Sequence, residues 1–440
     1  MFGPVDREVE RRIGVEVAWH GASGGRVGGA VDELLAKPLD RDAVIRVALA
    51  MNRRLQAQYD ELGIAASVVA DATVLAPTEL DVEYKRALNG DGTELEIEAT
   101  QDILDLIQIP QRRGIANAQL AAARSRAVAA TVSLVARVEA VYVDVVAAHQ
   151  ELELRQTSFD AASAAAVLTE RMAEAGNVPE LTLARERDQR EQARIDLGRA
   201  QVDVEVRREM LNELLGVSGK QTRWTVAARL PDLPATSPAL DTLERDAVAA
   251  SLDLQALRAD EEAAASRVGV ARLRSWVPEL GIGIAASRSD GEWEVGPAIS
   301  VGLPIFNQQQ GPRARAHAEL GRARNEASAT ATELRARARA TRQRVLEAYA
   351  EARHLRDVVL PLRQRIVDET LKQYNAMNAS TFELLVARRD LVDAGRQYID
   401  ASRRYWRADT DARALARGAS AIGADEMRTS TSRSSSQEGH

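Results

Sequence analysis

The chain has no cysteine, which excludes disulfide bonds and thiolate metal sites from its 440 residues. Five histidines and six methionines are too few for a dense site for soft metal ions. Aromatic residues make up only 4% of the chain, so its composition is that of long packed helices and not of a thick globular core. Its longest apolar run, Ala161–Leu168, is rich in alanine and much shorter than the roughly 20 residues of a membrane-spanning helix.

Charge and motif content narrow the function further. The net charge of −7 is spread over interspersed Arg and Glu, and no basic stripe indicates nucleic-acid binding. No nucleophile-plus-base pattern, phosphate loop or zinc spacing is present, so we predict no enzyme activity, no cofactor and no metal site. Single histidines on helical patterns (His149, His317, His354) are interpreted as exposed or interhelical. The first eight residues have no apolar signal core, so either a leader has been removed or the protein stays in the cytoplasm.

The sequence repeats itself in two halves. Ala48–Ala57 is echoed by Ala247–Ala256, about 200 residues later, and Gly176–Asp188 is echoed by Asn378–Asp390. Each half places long helical patterns around a short alternating segment. A repeat of this length indicates a duplicated architecture and not a solenoid of small units.

The pattern divides the chain into five parts. We predict an irregular N-terminal segment (1–38), a first repeat (39–216) with a hairpin at 78–101, a connector (217–238), a second repeat (239–416) with strands at 278–303, and a disordered tail (417–440). Helices are expected from about Asp40 to beyond Leu62, past Gly114 to about Ala175, from there to about Leu215, from about Leu240 to Ser275, over about 313–376, and to about Ala416. A coiled-coil seam is predicted at Leu134, Val138, Val141, Val145, Ala148 and Leu152.

The alternating segments predict strands with two different faces. Residues 78–85 and 94–99 alternate strictly around the turn Asn89–Gly92, and 278–286 and 295–302 form a second pair. One face of the first hairpin is apolar, and the other carries Glu79, Asp81, Glu83, Glu94, Glu96 and Glu98. This acidic face is either the lining of a lumen or the solvated face of a surface hairpin. Since sheet edges cannot remain open in lipid, membrane-spanning strands would have to close with copies of themselves.

Several loose motifs, in this order and spacing, resemble the TolC-like outer-membrane efflux channel family over about residues 5–416. They are the two Ala-Leu-x-x-Asn-like helix starts, Leu214-Leu215-Gly216, Pro304-Ile305-Phe306 followed by Gly311, and Thr381–Arg388. The start of the chain, Val5–Gly14 with Trp19 following, resembles the heavy-metal-efflux branch of this family.

The resemblance implies a fold and a function. The fold would be mainly α with a small β portion, and three chains would form a twelve-stranded β-barrel and a periplasmic helical tunnel. The protein would be a passive exit duct in the bacterial outer membrane, a homotrimer that docks on a periplasmic adaptor and an inner-membrane pump. Glu383 and Arg388 would lie at the pore constriction, although Glu383 could equally be an ordinary exposed helix residue. The tips that contact the adaptor would be Gly176, Asn177, Asn378 and Ala379.

Two alternatives remain open from the sequence. The apolar bands of the strands are short, about three residues each, and aromatic girdles are nearly absent. The chain could therefore be a water-soluble relative that acts as a helical interaction or scaffold protein without membrane insertion. A third interpretation is a cytoplasmic coiled-coil scaffold without a barrel.

Overall fold

Long helices dominate the computed structural model, which describes residues 3–15, 25–75, 77–86, 93–227, 229–276, 279–289, 292–302 and 309–419. The helices are α1 (Gly3–Ile13), α2 (Gly25–Leu35), α3 (Arg41–Met51), α4 (Arg53–Asp71), α5 (Ile103–Glu174), α6 (Glu180–Leu215), α7 (Leu243–Ala250), α8 (Leu252–Trp276), α9 (Gln310–His354), α10 (Leu360–Asn375) and α11 (Thr381–Ala416). The strands are β1 (Glu79–Arg86), β2 (Thr93–Asp102), β3 (Leu280–Ser289) and β4 (Glu292–Val301). The predicted class, mainly helical with a small β portion, is confirmed.

The chain folds as two compact units. The first unit holds Met1–Val5, Ala57–Val128 and Leu252–Glu333, and the second holds Asp6–Gln56, Ala129–Ser251 and Leu334–His440. Each unit therefore draws on both sequence repeats.

All four strands join one antiparallel sheet in the first unit, in the order β1-β2-β3-β4. The two hairpins meet where β2 pairs with β3, with Ile97 opposite Ala286 and Ala99 opposite Ile284. The predicted alternating segments are confirmed as strands. In this order β1 and β4 form the two edges of the sheet.

The N-terminal segment predicted as irregular contains two helices, α1 and α2, so that prediction was wrong for the described part. In α1, Val9 is fully buried, and Arg12 donates to the carbonyl oxygens of Ala250 at 2.8 Å and Arg417 at 2.6 Å. Because these contacts come from residues more than 200 positions away, a local pattern could not reveal them.

The helix expected from Asp40 to beyond Leu62 is interrupted at Asn52, and the helix expected from Leu240 is interrupted at the equivalent Ser251. Both residues leave the helical region, with ψ of 110° at Asn52 and 119° at Ser251. The Asn52 side chain accepts from Leu55 N–H at 3.0 Å and donates to the Leu214 carbonyl at 2.8 Å. Asp40 caps α3 as predicted, since its carboxylate accepts from Ala43 N–H at 2.8 Å.

The Leu-Leu-Gly motif has a steric explanation at this break. Gly216 ends α6 with φ of 72°, and a β-carbon there would lie 2.7 Å from the carbonyl oxygen of Met51. Only glycine combines the positive φ with this close approach of the α3 backbone.

Helix α5 begins earlier than expected, at Ile103, and continues through Pro110 and Gly114. The carboxylate of Asp102 accepts from the N–H groups of Leu104 at 2.7 Å and Asp105 at 3.4 Å, which caps the helix start. The predicted seam is buried at Leu134, Val138, Val145 and Ala148. Between Ala127 and Ala148 this helix is buried on nearly every side, which is the pattern of a central helix.

The helix predicted over 313–376 contains a π-helical turn, Leu355–Val359, between α9 and α10. Pro361 lies two residues after this turn, and its missing N–H cannot donate to the carbonyl four residues earlier, that of Asp357. The first repeat has no counterpart, because α5 is described as one uninterrupted helix.

The end of α11 at Ala416 is confirmed. Four predicted features lie outside the described residues: the turn Asn89–Gly92, the motif Pro304–Phe306, Trp19, and the tail beyond residue 419.

Candidate functional site: an acidic sheet face and two helical tips

The six predicted acidic residues lie on one face of the sheet. The register places Asp81 opposite Glu98 and Glu83 opposite Glu96, and Glu79 and Glu94 share their face by alternation. Like charges directly opposite each other are unfavourable, so this face concentrates negative charge instead of neutralising it.

Sequence reasoning missed three members of this face. Lys85 lies opposite Glu94, and its Nζ is 3.0 Å from Glu83 Oε2 and 3.7 Å from Glu96 Oε2. On β4, Glu294 and Glu292 continue the acidic face beyond Ser287 and Ser289. The two-residue spacing of these glutamates was visible in the sequence.

The opposite face of the sheet is apolar and open. Val295 and Ile299 are both 71% exposed, and Leu80 is 66% exposed. Val82, Tyr84, Ile284, Trp293 and Val301 are also more than half exposed. An exposed apolar surface of this extent indicates that the face contacts something other than water.

The two helical tips share one backbone motif. Asn177 N–H donates to the Met172 carbonyl at 2.8 Å, and Asn378 N–H donates to the Gln373 carbonyl at 2.8 Å. In each tip the residue before the asparagine has a positive φ, 74° at Gly176 and 62° at Met377. Both helices therefore end in a Schellman motif. The left-handed residue of the second tip is Met377, one position before the predicted Asn378 and Ala379.

Glu383 caps its own helix. Its carboxylate accepts from Ser380 N–H at 2.6 Å, while Ser380 Oγ accepts from Glu383 N–H at 3.2 Å. These reciprocal bonds form a capping box, and the Ser-x-x-Glu spacing was a readable indication of it. The backbone hydrogen bond from Ser380 lowers the pKa of Glu383.

The second predicted constriction residue, Arg388, is exposed on the same helix, five positions after Glu383. That spacing directs the two side chains to different sides of α11, so the structure does not bring them together. The two tips themselves are linked, because the Arg185 guanidinium lies 5.4 Å from the centre of the Phe382 ring.

A buried carboxylate joins three helices of the second unit. Asp144 of α5 is 7% exposed and lies 3.0 Å from Arg407 Nη1, with Arg403 and Arg207 at 3.7 Å. Burial raises the pKa of Asp144, and the three guanidinium groups oppose that rise. Asp144 therefore connects α5, α6 and α11 through its arginine contacts, but the cost of desolvating its charge outweighs what these contacts return.

Within the described residues, no helix combines the length and apolar character needed to cross a membrane. The same residues contain no group of three or more His, Asp or Glu side chains arranged to hold a metal ion.

The duplicated helix pairs, each with a β-hairpin, define a TolC-like fold. The chain is similar to the structure of the Campylobacter jejuni CmeC outer membrane channel, with a TM-score of 0.69 over 89% of this chain and 88% of that chain at 16% identity. It is also similar to a structure of CusC, with a TM-score of 0.67 over 86% of this chain and 92% of that chain at 17% identity.

A sequence relative agrees with this fold. The chain is 26% identical over 392 residues to the cobalt-zinc-cadmium resistance protein CzcC of Cupriavidus metallidurans, covering 87% of this chain and 91% of the relative. No family profile matches the chain. The shared fold and the 26% identical relative support an outer-membrane channel of the TolC-like class over the soluble scaffold.

Proposed function

We propose that the chain is the outer-membrane exit duct of a tripartite efflux system, acting as a passive homotrimer. The observation that carries this proposal is the sheet with one apolar face, one acidic face and two edges. Backbone groups at an edge cannot stay unpaired in lipid. Three copies, each with four strands, would pair β4 of one copy with β1 of the next and close a twelve-stranded barrel.

In this barrel the apolar face contacts lipid and the acidic face lines the lumen. Carboxylates from three chains would attract cations and oppose anions. The name of the relative CzcC refers to cobalt, zinc and cadmium. We therefore propose divalent metal cations as the substrate class, delivered by an inner-membrane pump that supplies the energy.

The helical tips of the second unit carry the other predicted contact sites. A periplasmic adaptor protein would contact four tip residues: Gly176, Asn177, Asn378 and Ala379. The exposed Met377, which directly precedes Asn378, would contact it as well. Glu383 and Arg388 follow the second tip on α11 and would border the constriction. In a trimer, each would form its own ring of three side chains, one from each chain.

The test is ion selectivity in planar bilayers. Reversal potentials in a salt gradient should show cation preference for the detergent-extracted protein. The double variant Glu96→Gln/Glu98→Gln should reduce that preference, while Lys85→Gln should increase it, because Lys85 is the single cation found on the described acidic face.

Because the two variants are expected to shift the reversal potential in opposite directions, they distinguish the lining of a lumen from a solvated surface face. If both leave the reversal potential unchanged while the protein conducts, the acidic face does not line the pathway. A protein that stays monomeric and soluble without detergent would contradict the proposed duct as a whole.

A further inference from the structure

Two apolar stripes of the second unit lie on long helices and have no partner within the described chain. On α6, the stripe is Ile195, Val202, Val206 and Met210, with Val202 63% exposed. It lies on the side opposite the buried Leu197, Val204 and Leu211. On the second repeat, the stripe is Leu362 and Ile366 of α10 with Val358 of the preceding π-helical turn, and Leu362 is 53% exposed. We call them the α6 stripe and the α10 stripe.

Another side of each helix is occupied by contacts within the chain. Arg155 of α5 donates to Asp196 of α6 at 3.1 Å, which fixes the α5–α6 pair. Arg363 of α10 donates to Asp390 of α11 at 2.6 Å, and Leu154 of α5 packs against Gly395 of α11. The exposed stripes thus belong to helices that are held in place by contacts on another side.

The two stripes overlap in height above the tips. Ile195 follows Val178 by 17 residues, and Leu362 precedes Asn378 by 16 residues, so both lie about 25 Å from their turns at 1.5 Å per residue. The contact of Arg185 with Phe382 places the beginnings of α6 and α11 side by side, so the two heights share a reference.

The α6 stripe contains a hole that an apolar side chain could fill. Gly198 lies between Ile195 and Val202, and nothing stands within 4 Å of the place where its β-carbon would be. Val358 precedes Asn378 by 20 residues, the same number that separates Gly198 from Val178. A valine at that height matches a knob entering a hole between helices.

Threefold symmetry explains why there are two different stripes. An odd-numbered ring requires a heterologous interface, in which one patch of each copy meets a different patch of the next. We propose that the α6 stripe of one copy packs against the α10 stripe of the next copy, with Val358 over Gly198. This inference rests on the proposed trimer and adds the helical surfaces that hold it together.

The absence of cysteine from the chain makes disulfide trapping unambiguous. The double variant Ile195→Cys/Leu362→Cys, oxidised in detergent, should give covalent dimers and trimers on a non-reducing gel. An equal mixture of the two single variants, co-assembled, should give dimers, and each single variant alone should give none, because cysteines bridge only when their β-carbons come within about 3.5–4.5 Å.

A matched control tests the register. Met210→Cys/Leu362→Cys keeps both cysteines on the two stripes but at about 48 Å and 24 Å from the tips, and should not cross-link between chains. Cross-linking of Ile195→Cys alone, or a bridge formed only within one chain, would overturn the pairing.

The mass of the uncross-linked protein in detergent separates the two levels of the argument. A trimer in which Ile195→Cys/Leu362→Cys does not cross-link overturns the stripe pairing and leaves the duct standing. A monomer overturns the duct and, with it, this interface.

Discussion

Nη1 of Arg12 lies 2.6 Å from the carbonyl oxygen of Arg417, and the same nitrogen lies 2.8 Å from the carbonyl oxygen of Ala250. These carbonyls belong to the ends of α11 and α7, where helix dipoles leave partial negative charge. One cation on the first helix therefore stabilises two helix ends that come from the second repeat.

We expect Arg12→Ala to lower the free energy of unfolding by about 2 kcal/mol, since a charged donor to two part-buried carbonyls is lost. Arg11→Ala is the matched control, because Arg11 is 71% exposed and pairs only with Glu8 of its own helix among the contacts described. The control should change stability by less than about 0.5 kcal/mol. Urea unfolding followed by circular dichroism measures both, and equal effects would show that the Arg12 contacts contribute nothing specific.

The second tip holds a methionine where the first tip holds a glycine. A side chain in the left-handed region costs roughly 1 kcal/mol relative to glycine. Met377→Gly should therefore stabilise the protein by about 1 kcal/mol, and Gly176→Ala should destabilise it by a similar amount. Gln373→Gly, in the helix just before the turn, should destabilise and so exclude a general benefit of glycine near this tip. If Met377→Gly lowers the melting temperature, the Met377 side chain has a stabilising contact that outweighs its backbone cost.

The sequence was informative where the structure is determined locally. Alternation along 78–85 predicted β1, and the alternating steps of four and three residues from Leu134 to Ala148 predicted a buried seam, because each pattern depends on neighbours along the chain. The break at Asn52 could not be predicted, since its amide donates to the Leu214 carbonyl, 162 residues away. The start of α5 was expected only past Gly114, although the capped start at Ile103 lies before both Pro110 and Gly114.

The candidate site shows the same division. The acidic face was predictable from periodicity, whereas the pairing of Glu96 and Glu294 with Ser287 depends on a register between two distant hairpins. The Ser-x-x-Glu spacing indicates that Glu383 caps its helix, whereas the resemblance to a channel family implied a place at the pore constriction.

Asp144 makes stability depend on pH in a direction unusual for an aspartate. Because burial raises its pKa in the folded state above the 3.8 of the free side chain, its contribution to stability is complete below pH 3.8. That contribution is lost as the pH rises through the raised pKa. In urea unfolding over a pH series, the wild type should lose stability relative to Asp144→Asn across this window. A difference that grows in favour of the wild type as pH rises would show that the three arginines outweigh burial.

Glu383 offers the sharpest separation of a gate from a helix cap. Glu383→Gln removes the charge but keeps the capping box, since glutamine can also accept from Ser380 N–H, whereas Glu383→Ala removes both. If the carboxylate acts in the pore, both variants should weaken cation preference and block by multivalent cations in planar bilayers. If it acts only as a cap, Glu383→Gln should conduct like the wild type, and any change in conduction by Glu383→Ala should be reproduced by Ser380→Ala. The pH dependence of stability gives an independent check. Because the pKa of Glu383 is lowered in the folded state, its carboxylate stabilises the protein at pH values above the unfolded pKa. This stabilisation is lost as the pH falls through the folded pKa. Glu383→Gln should not show this loss of stability at low pH. If it does, the loss comes from another carboxylate.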